Sequence, residues 1–156
     1  MSAPFRHIAR RVAPAETWSG EPLDSVTLDF DQRFRRRIVL TCEGGTQVLL
    51  DLADARLLNH GDALVTDTGA LILVRAAPER LLEVRCRDPK QLPRIAWHLG
   101  NRHLPTEIAE DRLRIRADHV IAAMLRGLGA EVVPLDAPFN PEGGAYGHGP
   151  SHGHDH

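Results

Sequence analysis

Residues 81–100 read LLEVRCRDPKQLPRIAWHLG, and the change of pattern within this stretch decides the fold of the second half of the chain. The apolar run at residues 81–86 predicts a strand. Asp88 and Pro89 then provide an N-cap and a first-turn proline for a helix. The next apolar residues recur at helical spacing and form one face, namely Leu92, Ile95, Ala96 and Leu99. Gly100 is expected to end this helix.

The same alternation of strand and helix continues beyond Gly100. The remaining predicted elements are two short strands at residues 107–108 and 113–115, a helix capped by Asp118 and closed by Gly127 and Gly129, and a last strand at residues 130–135. The apolar face of the second helix comprises Val120, Ile121, Met124, Leu125 and Leu128. The order βαββαβ predicts a ferredoxin-like domain over residues 79–140.

The first half of the chain shows the period of two that is typical of strands. Strands are predicted at residues 27–31, 37–42, 46–50, 63–66 and 70–74. Gly44-Gly45 and Asp67-Thr68-Gly69 provide the turns of two hairpins. Residues 1–78 therefore predict a small β-rich N-terminal domain, and their sequence shows no cluster of metal ligands or nucleophiles. The fold class of the whole chain is α+β.

Composition and charge exclude several classes of protein. The 156 residues have a formal net charge of −2 and contain 4% aromatic residues, so nucleic-acid binding is not expected. The one basic run, at residues 33–37, is interpreted as the solvated edge of a strand. No apolar run reaches the length of a membrane helix, and two cysteines cannot build a disulfide scaffold or a paired-cysteine zinc site. The first residues lack an apolar segment, which argues against a secretory signal and favours the cytoplasm.

Histidines are concentrated at the end of the sequence. Of nine in the chain, four lie in the last nine residues, namely His148, His152, His154 and His156. We expect residues 141–156, which are also rich in glycine, to form a flexible His-rich tail. Such tracts bind Ni²⁺, Cu²⁺ or Zn²⁺ through imidazole. Two alternatives stay open: a solvated tail without a function and an expression tag, although the interleaved glycine, proline and aspartate are not typical of a tag.

Three histidines in the second half have ordinary explanations when spacing alone is considered. His98 lies near the end of the first helix, where it interacts favourably with the helix dipole. His119 follows the capping Asp118 and is typical of a first-turn surface residue. His103 stands five residues beyond His98, across the end of the helix, and the two need not converge.

Residues 97–105, WHLGNRHLP, resemble the signature of the UreE family of urease accessory nickel metallochaperones. Further stretches of the family pattern follow in order: EDRL at residues 110–113, DHV at 118–120, MLRGLG at 124–129, and APFNPEGGAYG at 137–147, which leads into the histidine tail. The resemblance extends from about residue 80 to the end. The β-rich first half is compatible with the family's N-terminal domain.

The resemblance implies a homodimer paired through the ferredoxin-like domains. It implies a metal on the two-fold axis, bound by His103 of each subunit and completed by tail histidines, with His98 and His119 as secondary candidates. It implies delivery of Ni²⁺ to a urease-activating GTPase complex and the apo-urease, and residues 1–78 would then bind a partner or peptide.

Two positions depart from patterns found in the family. Thr106 stands where some members have cysteine, so a thiolate ligand is not available there. Arg116-Ala117 stand where some members have further histidines before His119.

Two other functions compete with nickel delivery as interpretations of the sequence. The alternative is a general metal-storage or detoxification protein that binds ions through the tail. A hydrolytic metalloenzyme is not expected, because it would need a general base and the sequence has no HExxH-like spacing and no carboxylate beside the histidine cluster.

Overall fold

The computed structural model describes residues 5–143 and divides the chain into two compact units, one ending at Ala77 and one beginning at Pro78. The described residues contain ten strands and three α-helices, so the class is α+β with sheet predominating. No helix among them combines the length and apolar character needed to cross a membrane.

A six-stranded sheet forms the first unit. Its strands are β1 (His7–Ala13), β2 (Asp24–Leu28), β3 (Phe34–Thr41), β4 (Gln47–Leu57), β5 (Ala63–Thr66) and β6 (Leu71–Ala76). Their order is β2-β6-β5-β1-β4-β3, which leaves β2 and β3 at the edges. The predicted hairpins β3-β4 and β5-β6 are confirmed. β1 also pairs in parallel with β4, and β2 with β6, contacts that the local pattern does not reveal.

The strand predicted at residues 27–31 is wrong in its second half. β2 ends at Leu28, and Asp29 begins the short helix α1 (Phe30–Arg33). The Asp29 carboxylate accepts a hydrogen bond from the Gln32 backbone N–H at 2.8 Å, and the Gln32 side chain accepts one from the Asp29 N–H at 3.1 Å. This reciprocal capping box favours a helical turn, although the alternation of apolar and polar residues alone suggested a strand.

A four-stranded sheet and two helices form the second unit. The strands are β7 (Pro78–Arg85), β8 (Glu107–Ile108), β9 (Leu113–Arg116) and β10 (Glu131–Pro138), in the order β10-β7-β9-β8 with all pairs antiparallel. The helices are α2 (Leu92–Asn101), which follows a 3-10 turn at Pro89–Gln91, and α3 (His119–Gly127). Along the chain the elements follow the order β-α-β-β-α-β.

Both predicted helix caps are present. The Asp88 carboxylate accepts a hydrogen bond from the Lys90 N–H at 3.0 Å. The Asp118 carboxylate accepts from the Val120 and Ile121 N–H groups at 2.9 and 3.1 Å. These bonds satisfy backbone donors that a helix start otherwise leaves without partners.

The helices pack their apolar faces on one side of the second sheet. The buried residues of this core are Leu82, Val84, Ile95, Leu99, Leu113, Ile115, Ile121, Ala122, Leu125, Ala130 and Val132. Two residues predicted for the α3 face lie outside it, because Val120 is 62% exposed and Leu128 is 38% exposed. Val120 stands about 100° around the helix from Ile121, and Leu128 follows the last helical residue.

The opposite side of the second sheet contains a buried carboxylate. Glu83 is 6% exposed and accepts a hydrogen bond from Arg114 Nε at 3.1 Å. Arg112 Nε lies 3.4 Å from the same carboxylate, and Arg85 also forms an ion pair with it. Burial raises the pKa of Glu83, but the hydrogen bonds from Arg114 and Arg85 outweigh burial and hold the pKa below its usual value.

Candidate metal centre

The end of α2 determines how His103 is presented. Gly100 was expected to end the helix, but the helix continues to Asn101. The His103 N–H then donates to the Gly100 carbonyl at 2.9 Å, and the Leu104 N–H donates to the Leu99 carbonyl at 3.2 Å. This pair of hydrogen bonds is a Schellman motif.

The Schellman motif places His103 in the left-handed region of backbone conformation, with φ of +59°. Glycine is the usual residue there, because a Cβ atom makes this conformation costly. His103 is therefore a side chain held at a strained backbone position. Strain of this kind is typical of functional sites.

His103 is exposed and lines an open cavity of about 230 Å³ at the end of α2. The other lining residues are Ala96, Gly100, Leu104, Pro105, Thr106, Ile108 and Glu142. Most of the lining is apolar or backbone, and Glu142 contributes the one carboxylate. The lining thus includes a histidine and a glutamate, two residue types that bind divalent transition metals.

The chain after β10 returns to this cavity. The Asn140 N–H donates to Glu107 Oε1 at 2.9 Å, and the Glu142 N–H donates to the Thr106 carbonyl at 2.8 Å. Pro141 is buried between these two contacts. The sequence placed the start of the tail at residue 141, but residues 141–143 are held against the second unit, so the anchored chain reaches at least Gly143.

The secondary candidates do not join His103. His98 is half-buried and lines a different cavity, with Asp88, Lys90, Gln91, Arg94, Ile95 and Leu128. The His98 ring packs edge-on against the Trp97 ring, with centroids 5.2 Å apart. His119 is the exposed first residue of α3 and lines neither cavity.

Within residues 5–143, no three histidine, cysteine, aspartate or glutamate side chains converge as a metal-binding group. In the described part of one chain, the residues of metal-ligand type that line the cavity are His103 and Glu142. The predicted tail ligands His148, His152, His154 and His156 lie outside the described residues.

Sequence reasoning missed Glu142. It lies 39 positions after His103 in a glycine- and proline-rich stretch that resembles a loop. The signal that could have found it is the pair of hydrogen bonds from the Asn140 and Glu142 N–H groups to Glu107 and Thr106, and no periodicity encodes such contacts.

Comparison with protein families divides the chain at the same place as the structure, close to residue 78. Residues 5–77 match the model of the N-terminal domain of the UreE urease accessory protein, and residues 79–156 match the model of its C-terminal domain. The chain is 57% identical over 146 residues to a urease accessory protein UreE of Bradyrhizobium sp. (strain ORS 278), covering 94% of this chain and 69% of that protein.

Two further relatives are covered over more of their own length. The UreE of Chelativorans sp. (strain BNC1) is 55% identical over 139 residues, which are 85% of this chain and 88% of the relative. The UreE of Beijerinckia indica subsp. indica is 52% identical over 149 residues, which are 95% of this chain and 86% of the relative. With both domains matched in order, the chain belongs to the UreE family of urease accessory proteins.

Proposed function

We propose that this protein is a nickel-binding metallochaperone that delivers Ni²⁺ for assembly of the urease metallocentre. The observation that carries the proposal is the exposed His103 beside the anchored start of the histidine-rich segment. Glu142 lines the cavity, and His148 follows it by six residues. An extended chain of that length spans at most about 21 Å, which supports a place for His148 among the ligands of the proposed site.

The donor set suits a carrier rather than a catalyst. Imidazole binds Ni²⁺, Cu²⁺ and Zn²⁺, and ligands near the surface can be exchanged for those of an acceptor. A hydrolytic centre would need fixed ligands, an open coordination position and a general base. We therefore propose no enzymatic activity, with Ni²⁺ as the cargo and Cu²⁺ or Zn²⁺ able to compete in vitro.

A homodimer would complete the site. One chain supplies a single described imidazole at the cavity, and a two-fold axis beside His103 would double it. Two of the large apolar side chains exposed in the second unit are Trp97, at 63%, and Ile108, at 52%. Trp97 lies three residues before Gly100 on α2, and Ile108 lines the cavity itself. Their burial between two copies would remove apolar surface from water around the metal.

We further propose that residues 79–140 form a ferredoxin-like domain, a proposal that the β-α-β-β-α-β order and the strand order β10-β7-β9-β8 support. In this proposal the acceptors are the urease-activating GTPase and its complex with the apo-urease. The first unit, residues 1–78, binds a partner, the histidine-rich segment beyond Gly143 provides exchangeable ligands, and the protein acts in the cytoplasm.

Calorimetric titration of the full chain with Ni²⁺ tests the proposal. His103→Ala should abolish the tightest binding phase and spare weaker tail binding, whereas the matched control His119→Ala should retain both. A chain ending at Gly147 should bind fewer ions and keep at least one per dimer. An unchanged tight phase in His103→Ala would overturn the proposed site.

A second measurement separates delivery from storage. Nickel loaded on the full chain should transfer when the GTPase partner is added. Retention of all bound nickel would instead support the storage and detoxification alternative.

A further inference from the structure

A strongly charged surface lies in the first unit, on the side of the sheet that ends with the edge strand β3. The adjacent strands β1, β4 and β3 contain six arginines and two aspartates, a net charge of +4. The rest of residues 1–77 contains three arginines and eight carboxylates, a net charge of −5. The charge of this unit is therefore segregated, although its total is close to zero.

Three of these arginines share one carboxylate. Asp51 on β4 lies 4.0 Å from Arg10 Nε, 3.9 Å from Arg36 Nη1 and 3.8 Å from Arg37 Nη1. All three distances exceed that of a hydrogen bond, whereas Arg114 Nε in the second unit lies 3.1 Å from Glu83. The three arginine side chains are also more than half exposed. Most of their N–H donors therefore face solvent and are available to another anion.

A second feature of the same edge is a pair of like charges. Arg35 on β3 stands directly opposite Arg56 on β4. No carboxylate among residues 5–143 lies within ion-pair distance of either side chain, and like charges opposite each other destabilise a sheet. An anion bound at this edge would relieve that repulsion.

β3 also offers its backbone. It is hydrogen-bonded to a strand on one side only, as the last strand of the sheet. An extended peptide can add to such an edge through main-chain hydrogen bonds, while its alternate side chains reach the neighbouring residues. The positive charge would attract either an acidic peptide or a nucleic acid. The unpaired backbone of β3 favours the peptide, because a nucleic acid has no peptide backbone to pair with a strand.

We propose that the cationic edge, comprising Arg10, Arg35, Arg36, Arg37 and Arg56, binds an extended acidic segment of a partner protein, which adds to β3 as a further strand. The arginines donate charge-assisted hydrogen bonds to the carboxylates of the segment. This inference rests on the proposed binding of a partner by the first unit and names the chemistry of that partner, whereas the proposed metal centre lies in the second unit.

The test uses the full chain and a fluorescein-labelled peptide of alternating glutamate and threonine, about eight residues long to match β3. Fluorescence anisotropy should show binding that weakens with added salt. Arg37→Gln should weaken it about tenfold, because one charge-assisted contact is lost. The matched control Arg75→Gln, which removes an exposed arginine from β6 near the other edge, should change it less than twofold.

Asp51→Asn should change peptide binding in the opposite direction to Arg37→Gln. Removing the carboxylate that competes for Arg10, Arg36 and Arg37 should strengthen peptide binding severalfold. Unchanged or weaker binding by this variant would overturn the assignment of these arginines to an anion site.

Two further probes test the chemistry of the ligand. The same peptide N-methylated at alternate residues should bind at least tenfold more weakly, and equal binding would overturn strand addition. A single-stranded oligonucleotide of equal charge should bind more weakly than the peptide. If Arg37→Gln causes self-association and the wild type binds no peptide, the arginines only protect the edge from pairing with other chains, and the proposal fails.

Discussion

His103 occupies, at the end of α2, the position that Gly129 occupies at the end of α3. Each is the second residue after its helix, with φ of +59° for His103 and +90° for Gly129. The hydrogen bonds also correspond, since Gly129 N–H donates to the Arg126 carbonyl at 3.0 Å and Ala130 N–H donates to the Leu125 carbonyl at 3.0 Å. One helix therefore ends on glycine and the other on an imidazole in the same backbone conformation.

Replacing His103 by glycine should raise the free energy of unfolding of the metal-free protein by about 1 kcal/mol, because glycine adopts this conformation without the steric cost of a Cβ atom. His103→Ala also lacks the imidazole but keeps the Cβ atom, so its stability should stay close to wild type. Urea denaturation compares the three proteins. Equal stabilities for the glycine and alanine variants would show that the backbone at this position is not strained.

Gly129→Ala should show the reverse effect at the end of α3. A Cβ atom at Gly129 would meet only Gln91 Oε1, at 3.6 Å, which is an ordinary contact. The expected loss of about 1 kcal/mol therefore reports the backbone conformation alone. Gly127→Ala is the matched control, because Gly127 is helical, has open space around it and should gain from the better helix propensity of alanine.

Glu83→Gln should lower the free energy of unfolding by about 2 kcal/mol, because Arg85, Arg112 and Arg114 would lose their shared buried carboxylate. Their partial exposure keeps the loss below that of a fully buried charge. Chemical denaturation at neutral pH measures the difference. The exposed Glu110→Gln should change stability by no more than about 0.5 kcal/mol.

The same carboxylate predicts a pH dependence. The pKa of Glu83 is lower in the folded protein than in the unfolded chain, so its stabilisation is fully present above about pH 4.3 and is lost as pH falls through the folded pKa. Wild type should therefore lose more stability than Glu83→Gln between pH 5 and pH 2 (roughly the range of carboxylate titration). Parallel losses in both proteins would contradict the assignment.

Nickel affinity should fall steeply below about pH 6.5, because imidazole coordinates metal only when neutral. The slope should approach one proton for each histidine ligand. Glu142 also lines the His103 cavity, so Glu142→Gln tests how much the Glu142 carboxylate contributes to nickel affinity. If wild type keeps tight binding at pH 5 and the variant does not, the centre is not built from imidazoles alone.

Trp97→Ser should raise the dissociation constant of the proposed homodimer at least about tenfold, because exposed aromatic residues are frequent binding hot spots. Sedimentation over a range of concentrations measures it. The control Val39→Ser removes an apolar side chain that is 48% exposed in the first unit and should leave self-association unchanged.

Much of the second unit was predictable because its signals are local. The carboxylates of Asp88 and Asp118 cap helices within three residues of their own positions, and the apolar spacing that includes Ile95 and Leu99 identifies the buried face of α2. Such contacts can be inferred from a short window of sequence.

Contacts between distant residues were not predictable in this way. The parallel pairing of His7 with Val48 joins β1 to β4, and β2, α1 and β3 lie between these strands in the chain. The return of Glu142 to Thr106 depends on where β10 ends in space. The left-handed conformation of His103 was hidden for another reason, because Gly100 offered a more usual helix end and the helix continued past it.

The hydrogen bond from Glu142 to Thr106 has a kinetic consequence for metal exchange. It holds Glu142 at the cavity, so in the proposed carrier His148, six residues further along the chain, would meet the cavity at an effective concentration on the order of millimolar. That concentration does not change when the protein is diluted. In the proposed delivery, a coordinating group released from the metal would rebind before the ion escapes, whereas an acceptor that holds the segment away would prevent rebinding and commit the ion to leave.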